Sequence, residues 1–361
     1  MIDLNSTAEI PKPKSKISRL HILGVLFTLL GIGLFIYFIN EVGFSTILDG
    51  IGKIGFDGFA LILFIYLLRL SCRAWAWKLS VSDPYKITFS EAIQAVIIGE
   101  SLSTMIPLGI LVSGTAKAVA VKRRIPLVVG LSSVATENLF FSLGAGLVII
   151  LGGVLFLRSF ELPEGWVFTI DLTIGIITIL TILGFLMVIR QWHFLSSICE
   201  SLYKRGVLKR FLATGRKKVR VFEDLVYSFY RQHPEYFVPI FLLQVAFHAF
   251  GVLEIWFVLS RISEVLPTVS TAFLLESVSR IILVVFKLIP FMIGVDEAGA
   301  QFVAETLALG AGVGITLPII RKVRVLFWTG IGLIIILKRE LSITELFNHQ
   351  EAVLKEETEN Q

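Results

Sequence analysis

The chain has 361 residues, of which 55% are hydrophobic, and its mean hydropathy is +0.82. These values exclude an ordinary soluble domain, because several apolar runs approach the roughly 20 residues that cross a bilayer. The formal net charge of +5 is therefore interpreted by its position along the loops, and not as a sign of nucleic-acid binding.

The first two spans are predicted from the order of charged and apolar segments. Residues 1–19 hold four Lys/Arg residues, so we expect a cytoplasmic tail. The apolar run at 20–39 lacks a small-residue cleavage site after it and is predicted to be an uncleaved span. An external loop at 41–56 then precedes a second span at 59–77.

Two arginines and two tryptophans mark the inner end of this second span. For Arg73, the sequence favours a side chain that snorkels to the lipid interface beside Trp75 and Trp77. Arg69 lies about one turn deeper, where a lipid phosphate and a carboxylate are both suitable partners.

Two stretches are apolar but interrupted by proline and glycine, at about 90–122 and about 268–314. Broken helices at membrane depth survive only where protein or a water-filled cavity satisfies the freed backbone groups. Both stretches are therefore predicted to be re-entrant helical hairpins. Their predicted elbows are Pro107, Gly109, Pro290 and Gly294.

The remaining apolar runs complete the predicted fold. Four further spans are predicted at 126–157, 166–189, 237–259 and 317–337. Each half then contains two spans, a hairpin and a third span. Because three crossings per half are an odd number, the second half has the opposite orientation in the membrane to the first. The fold class is an all-α polytopic membrane protein with about six spanning helices plus two re-entrant hairpins in an inverted repeat, a plan that places a ligand near the midplane.

The segment boundaries follow from this plan. The first membrane repeat is 20–157, the external loop and fourth span are 158–189, and the rest of the second repeat is 237–339. A polar tail at 340–361 follows. With both tails predicted to be cytoplasmic, the protein is expected in the cell membrane, and homo-oligomerisation is left open.

The segment 190–236 gives the strongest orientation signal. It contains ten Lys/Arg residues against four acids. Apolar residues recur through it at helical spacing, opposite the basic residues of 204–220. This pattern predicts a basic amphipathic helix on an anionic inner leaflet, with membrane lipids as partners and no nucleic acid.

Several charged residues lie inside the apolar runs, where ionisable groups are functional candidates by default. Glu137 interrupts the third span, and either a functional role or a structural bond to a neighbouring helix accounts for it. Glu276 and Arg280 are four residues apart and are expected to pair. Asp296 is interpreted as a helix cap, whereas Glu297 is predicted to gate transport or to bind a head-group amine.

Enzyme motifs are missing from the sequence. It has no phosphate-binding loop, no HExxH motif and no nucleophile elbow, and its five histidines lack metal-ligand spacing. No cofactor and no metal site are predicted. The two cysteines, Cys72 and Cys199, suggest neither a disulfide framework nor a thiolate site.

Four short motifs resemble one family. They are RLSCRAWAW at 69–77, the Pro107 elbow followed by SGTAK at 113–117, ATEN at 135–138, and PFMIGVDE at 290–297, with Arg321 or Arg324 as a later arginine. Together they are similar to the flippase-like proteins that share the transmembrane domain of lysylphosphatidylglycerol synthase, the multiple peptide resistance factor group. Two positions depart from the family pattern: Thr115 replaces an acid and Asn138 replaces an arginine.

The resemblance covers roughly residues 20–340 and implies the lipid-translocating region without the soluble synthase domain. We therefore expect a flippase-like transporter that moves a lipid or lipid-linked head group between leaflets. The alternatives are a membrane-embedded enzyme that modifies a head group, using Glu137, His248 or Asp296, and an accessory or scaffold subunit. The residues expected to contact the head group or to gate are Arg69, Lys117, Glu137, Arg280 and Glu297.

Overall fold

A computed structural model describes residues 44–105, 109–159, 164–190, 194–205, 220, 223–224, 226–285, 295–310 and 312–338. Within these ranges the regular structure is helical and no strand occurs, which confirms the all-α prediction. The predicted first span at 20–39, most of the basic segment 204–220 and the tail at 340–361 lie outside the described residues. So do three of the predicted elbow residues, Pro107, Pro290 and Gly294, whereas Gly109 begins a helix.

Ten α-helices have both ends within the described ranges, and residues 226–232 add a further helical stretch. The ten are α1 Phe44–Leu79, α2 Phe89–Met105, α3 Gly109–Ala120, α4 Leu127–Ser159, α5 Glu164–Arg190, α6 Phe194–Lys204, α7 Phe237–Ile262, α8 Val269–Val285, α9 Val295–Thr306 and α10 Val313–Lys338. Within the part of the chain that the structure describes, three segments are long and apolar enough to cross a membrane: Gly52–Leu79 in α1, Leu127–Arg158 in α4 and Pro234–Ile262, which comprises a 3-10 turn and α7. The chain is a membrane protein. Helices α5 and α10 coincide with the predicted fourth and sixth spans.

Two predicted boundaries are wrong. The stretch predicted to be an external loop at 41–56 is helical from Phe44, and α1 is interrupted only at Gly55, whose φ of 67° is left-handed. The last helix begins at Val313, four residues before the predicted start at Leu317. Both errors arise because polar and glycine residues mark a loop in the sequence, although a helix can continue through them.

Two pairs of short helices lie in the stretches predicted to be hairpins. Helix α2 packs on α3, and α8 packs on α9. The 17 residues of α2 and the 12 of α3 extend for about 25 and 18 Å, less than the roughly 30 Å of a bilayer core. These lengths fit the predicted hairpins.

A threonine caps the first helix of each hairpin. The hydroxyl of Thr88 accepts a 3.2 Å bond from the backbone N–H of Glu91, whose carboxylate in turn accepts one of 2.9 Å from the N–H of Thr88. Thr268 accepts a bond of 3.1 Å from the N–H of Thr271 in the same way. Hence both hairpins begin with equivalent local chemistry, which fixes where α2 and α8 start.

Equivalent pairs of helices are in contact in the two halves. Helices α1 and α7 pack against each other at the centre. Around them, α1 contacts α2 as α7 contacts α8, and α3 contacts α4 as α9 contacts α10. The halves also exchange contacts reciprocally, because α2 packs on α10 and α8 packs on α4. The described helices therefore follow one plan twice.

A serine–glycine contact recurs at both of these exchanged crossings. Ser101 of α2 lies against Gly332 of α10, and Ser277 of α8 lies against Gly152 of α4, so closely that a Cβ on either glycine would overlap the serine side chain. Each serine hydroxyl bonds to its own helix, at 2.7 Å for Ser101 and 2.8 Å for Ser277. Each hydroxyl also lies near a carbonyl of the partner helix, four residues before its glycine. This match aligns α2 with α8 and α10 with α4 residue by residue.

Candidate functional site

The first buried ionic network surrounds Glu137 of α4. Arg73 of α1 donates to both carboxylate oxygens of Glu137, at 2.9 and 3.1 Å, and Lys117 of α3 donates at 3.3 Å. Gln244 of α7 adds a bond of 3.4 Å. Glu137 and Lys117 are both fully buried. A carboxylate that is satisfied from three helices holds those helices in register, so Glu137 joins the two halves of the chain.

Arg73 is the centre of this first network, contrary to the sequence prediction of a lipid-facing side chain. It pairs with Glu100 of α2 and donates to Asn138 at 3.1 Å in addition to its bonds with Glu137. Trp77 is also buried and donates to the hydroxyl of Ser133 at 3.0 Å, whereas Trp75 is exposed. The depth of these residues along α1 can be counted in the sequence, but the face of the helix that meets the protein cannot.

A second buried network lies between the halves, around Arg69 of α1. Arg69 contacts Glu254 of α7 at 3.3 Å and Glu276 of α8 at 3.2 Å. Arg324 of α10 also pairs with Glu254. The two carboxylates thus connect α1, α7, α8 and α10. Of the two partners that the sequence left open for Arg69, the structure shows the carboxylate.

Arg280 and Arg321 complete the second network at its edge. The Nε atom of Arg280 lies 3.1 Å from Glu276, as predicted, although its N–H is not aligned for a hydrogen bond. Arg321 donates to Ser279 at 2.7 Å and lies 3.9 Å from Glu276. The nearby carboxylate of Asp296 acts on both arginines electrostatically.

The second network carries more positive than negative charge. Its four arginines are always protonated, and among the described residues they face three carboxylates, those of Glu254, Glu276 and Asp296. One positive charge is therefore left over in a site where all four guanidinium groups are at least 90% buried. An unbalanced buried charge is costly, which makes this network a candidate site for an anion.

A third ion pair lies at the start of α9. Glu297 is buried and pairs with Lys322 of α10. Lys287, which the sequence offered as a partner for the acids of α9, lies outside the described residues. Lys322 was not identified from the sequence, although it follows Arg321 in an otherwise apolar run.

The signs of these pairs are reversed between the halves. In the first half, the cations Arg73 of α1 and Lys117 of α3 meet an anion on α4. In the second half, the anions Glu254 of α7 and Glu297 of α9 meet cations on α10. Since α1, α3 and α4 occupy the same places as α7, α9 and α10, the ionic pattern is repeated with opposite charge.

An apolar groove of about 610 Å³ borders the second network. It lies between α4, α7 and α8, and its lining includes Val148, Leu151 and Phe273. His248 is the one ionisable residue of that lining, and its ring lies 3.8 Å from Glu276. Exposed apolar side chains, such as Leu151, form its rim. The groove thus connects an apolar outer surface with the buried charges.

The five predicted contact residues are all buried but do not form one cluster. Lys117 and Glu137 belong to the first network, Arg69 and Arg280 belong to the second, and Glu297 belongs to the third pair. The sequence reasoning missed Glu100, Gln244, Glu254 and Lys322 as members of these networks. They could have been found in the sequence, because each is a polar residue inside an apolar run.

Groups of histidine, cysteine and acidic side chains that could hold a metal ion are not found among the described residues. The two described cysteines, Cys72 and Cys199, are free thiols.

Comparison with known proteins gives one match. The profile of the family described as the lysylphosphatidylglycerol synthase TM region matches residues 21–332. No curated protein and no solved structure matches the chain. The matched range includes both halves of the fold and all three ionic groups, so the chain belongs to the lysylphosphatidylglycerol synthase transmembrane-region family.

Proposed function

We propose that this membrane protein translocates a lipid, or a lipid-linked head group, between the two leaflets of the cell membrane. The observation that carries this proposal is a buried ionic network, built by helices of both halves, that opens beside an apolar groove. A lipid has the same two parts, a charged head group and apolar chains. A protein that moves it must accommodate both at once.

The groove suits the apolar chain of the lipid, and the second network suits its head group. An apolar chain fits the groove between α4, α7 and α8, whose described lining has His248 as its only ionisable side chain. The head group then lies beyond His248, near Glu276 and the arginines that surround it. Because these charges lie inside the protein, the head group is shielded from the hydrocarbon core while it crosses.

The charge of the second network favours a head group that carries a phosphate. Arg280 and Arg321 have fewer aligned hydrogen bonds to carboxylates than Arg69 has. Their unused donors and the extra positive charge suit a phosphate oxygen, which accepts several charge-assisted hydrogen bonds. Arg280 was predicted from the sequence as such a contact.

The predicted inverted repeat explains, in this proposal, how one site can face both leaflets. If the two hairpins enter from opposite faces, the site between them can be presented to either leaflet in turn. The cytoplasmic location of both tails and the contact of segment 204–220 with an anionic leaflet belong to the same proposal, because they rest on the distribution of basic residues.

Reconstitution in liposomes tests the proposal. Lipids with a labelled head group are mixed in, and the fraction that a membrane-impermeant quencher reaches over time is measured for anionic, zwitterionic and glycolipid probes. We expect faster transbilayer exchange than in protein-free liposomes for at least one phosphate-bearing probe. No gain for any probe would contradict the proposal.

A matched pair of arginine variants connects the exchange to the second network. Arg280→Met removes a buried cation, and Arg261→Met removes an exposed one at the end of α7. Arg280→Met should lose one charge-assisted contact to the head group, about 1.5–3 kcal/mol, and slow exchange roughly 10- to 100-fold. Arg261→Met should exchange lipid at the unmodified rate. Mass spectrometry of the recovered lipids separates transport from chemistry, since a new lipid species would show that the protein is an enzyme.

A further inference from the structure

The apolar groove has a counterpart in the other half of the protein. A narrow cleft of about 10 Å³ lies between α1, α2 and α10, and the equivalent helices α7, α8 and α4 form the wide groove. The alignment of the two serine–glycine contacts places Ile97 where Phe273 stands and Trp328 where Val148 stands. All four residues line the corresponding cavities.

Each cavity also has a histidine or glutamate that contacts a buried network. In the wide groove this residue is His248, which lies 3.8 Å from Glu276 of the second network. In the narrow cleft it is Glu100, which pairs with Arg73 of the first network and keeps 27% of its side chain exposed. The two cavities are thus equivalent both in their helices and in their connection to buried charge.

At one pair of equivalent positions the larger side chain lies in the narrow cleft. Trp328 lines the cleft, and its ring centroid lies 6.3 Å from that of Tyr66. The equivalent residue of the wide groove is the smaller Val148. The indole N–H of Trp328 is buried without a hydrogen-bond partner in the described structure. A buried unpaired donor is unfavourable, and no hydrogen bond from the indole to the described residues holds Trp328 in its closed position.

The polar contacts across the cleft are long, whereas those within α2 are short. The hydroxyls of Thr104 and Thr329 are 3.4 Å apart, and Ser101 lies 3.4 Å from the carbonyl of Trp328. Within α2, Ser101 bonds to Ile97 at 2.7 Å and Thr104 bonds to Ser101 at 2.9 Å. If the cleft widens, both hydroxyls of α2 keep their shorter bonds, so opening leaves neither of them unsatisfied.

We infer that the cleft between α1, α2 and α10 is a second lipid-binding groove, which takes an acyl chain of a bilayer lipid when Trp328 swings out. This inference rests on the proposed function. Because the halves repeat the same plan, the two grooves serve the two ends of the transport path. In this structure one groove is open and the other is closed by Trp328.

Thiol labelling tests the second groove without measuring transport. In a protein whose Cys72 and Cys199 are replaced, Thr329→Cys places a single thiol in the cleft, and a bilayer-soluble maleimide reports whether the cleft opens. We expect slow labelling in that protein and at least a tenfold faster rate when Trp328→Val is added. Val148→Cys, in the open groove, gives the rate for full access. An unchanged slow rate in the Trp328→Val protein would overturn the inference.

A cross-link then asks whether opening is needed for exchange. Thr104→Cys and Thr329→Cys are joined across the cleft with a short bifunctional thiosulfonate reagent, and lipid exchange is measured before linkage, after linkage and after reduction. We expect linkage to reduce exchange at least tenfold and reduction to restore it. Ser90→Cys with Gln94→Cys is the matched control, because that exposed pair lies one turn apart within α2 and does not cross the cleft.

The outcomes distinguish this inference from the proposed function. Exchange at the unlinked rate in the linked protein would show that the cleft is not part of the path, and would overturn the inference while leaving translocation established. Absence of exchange in the unmodified protein would contradict translocation itself. In that case the labelling rates still decide whether the cleft opens to the bilayer.

Discussion

Neutralising Glu137 tests whether charge holds the first network together. Among the described residues, this network contains two cations, Arg73 and Lys117, and two anions, Glu137 and the partly exposed Glu100. Glu137→Gln leaves one buried positive charge without a partner. Removal of one member of a buried ion pair costs about 3–5 kcal/mol. For a chain of this size we expect the melting temperature to fall by roughly 6–10 °C, taking about 2 °C per kcal/mol.

A second substitution should reverse much of that loss. Lys117→Met keeps the length of a side chain that is fully buried and removes its charge, so the double variant Glu137→Gln/Lys117→Met is neutral again. We expect the double variant to be more stable than Glu137→Gln by about 2 kcal/mol, a coupling typical of residues in contact. Thermal unfolding of the four proteins in nanodiscs, followed by circular dichroism, measures this.

Two results would refute this reasoning. A melting temperature of Glu137→Gln equal to that of the unmodified protein would show that the carboxylate is not the partner of Arg73 and Lys117. A double variant no more stable than Glu137→Gln would show that its lost stability comes from geometry and not from charge. Lipid exchange by a stable double variant then tells whether the pair also acts in transport.

The remaining predictions concern other parts of the fold. Glu297→Gln removes the partner of Lys322, so it is compared at equal amounts of folded protein; it should abolish lipid exchange, whereas Glu305→Gln, an exposed position on the same helix α9, should not, and equal exchange by both variants would remove Glu297 from the site. Gly251→Ala should lower the melting temperature by several degrees, at about 1–3 kcal/mol for overpacking, because the added Cβ would lie 2.6 Å from a carboxylate oxygen of Glu276. Burial raises the pKa of Glu91, but its hydrogen bonds at the start of α2 outweigh this and hold the pKa below its usual value. Its stabilisation is therefore present above the unfolded pKa of about 4.3 and lost as the pH falls below it, so Glu91→Gln should weaken the pH dependence of melting in that range.

The sequence predicted the helices more accurately than their contacts. Apolar runs gave α4, α5 and α7 to within three residues at each end, because burial in a membrane depends on composition over a long window. Charged residues within these runs correctly indicated buried ionic groups. Arg73 was assigned to the lipid interface, since depth along a helix can be counted whereas the direction of a side chain depends on its neighbours.

The partners of the charged residues could not be deduced from local spacing. The pair Glu276 and Arg280 was predicted because four residues separate them on one helix. Glu254 and Arg324 are far apart in sequence and meet only because α7 and α10 pack together. The contact of Ser101 with Gly332 was missed for the same reason, although it aligns the two halves better than any sequence motif does.

The reversed signs of the ion pairs make each half the required complement of the other. Helices α1 and α7 pack together, and there Arg69 meets Glu254. Two copies of the first half, assembled by the same plan, would instead bring two Arg69 side chains together in the membrane. A polypeptide cut between the halves should therefore reassemble only as a heterodimer, and neither fragment can replace the other.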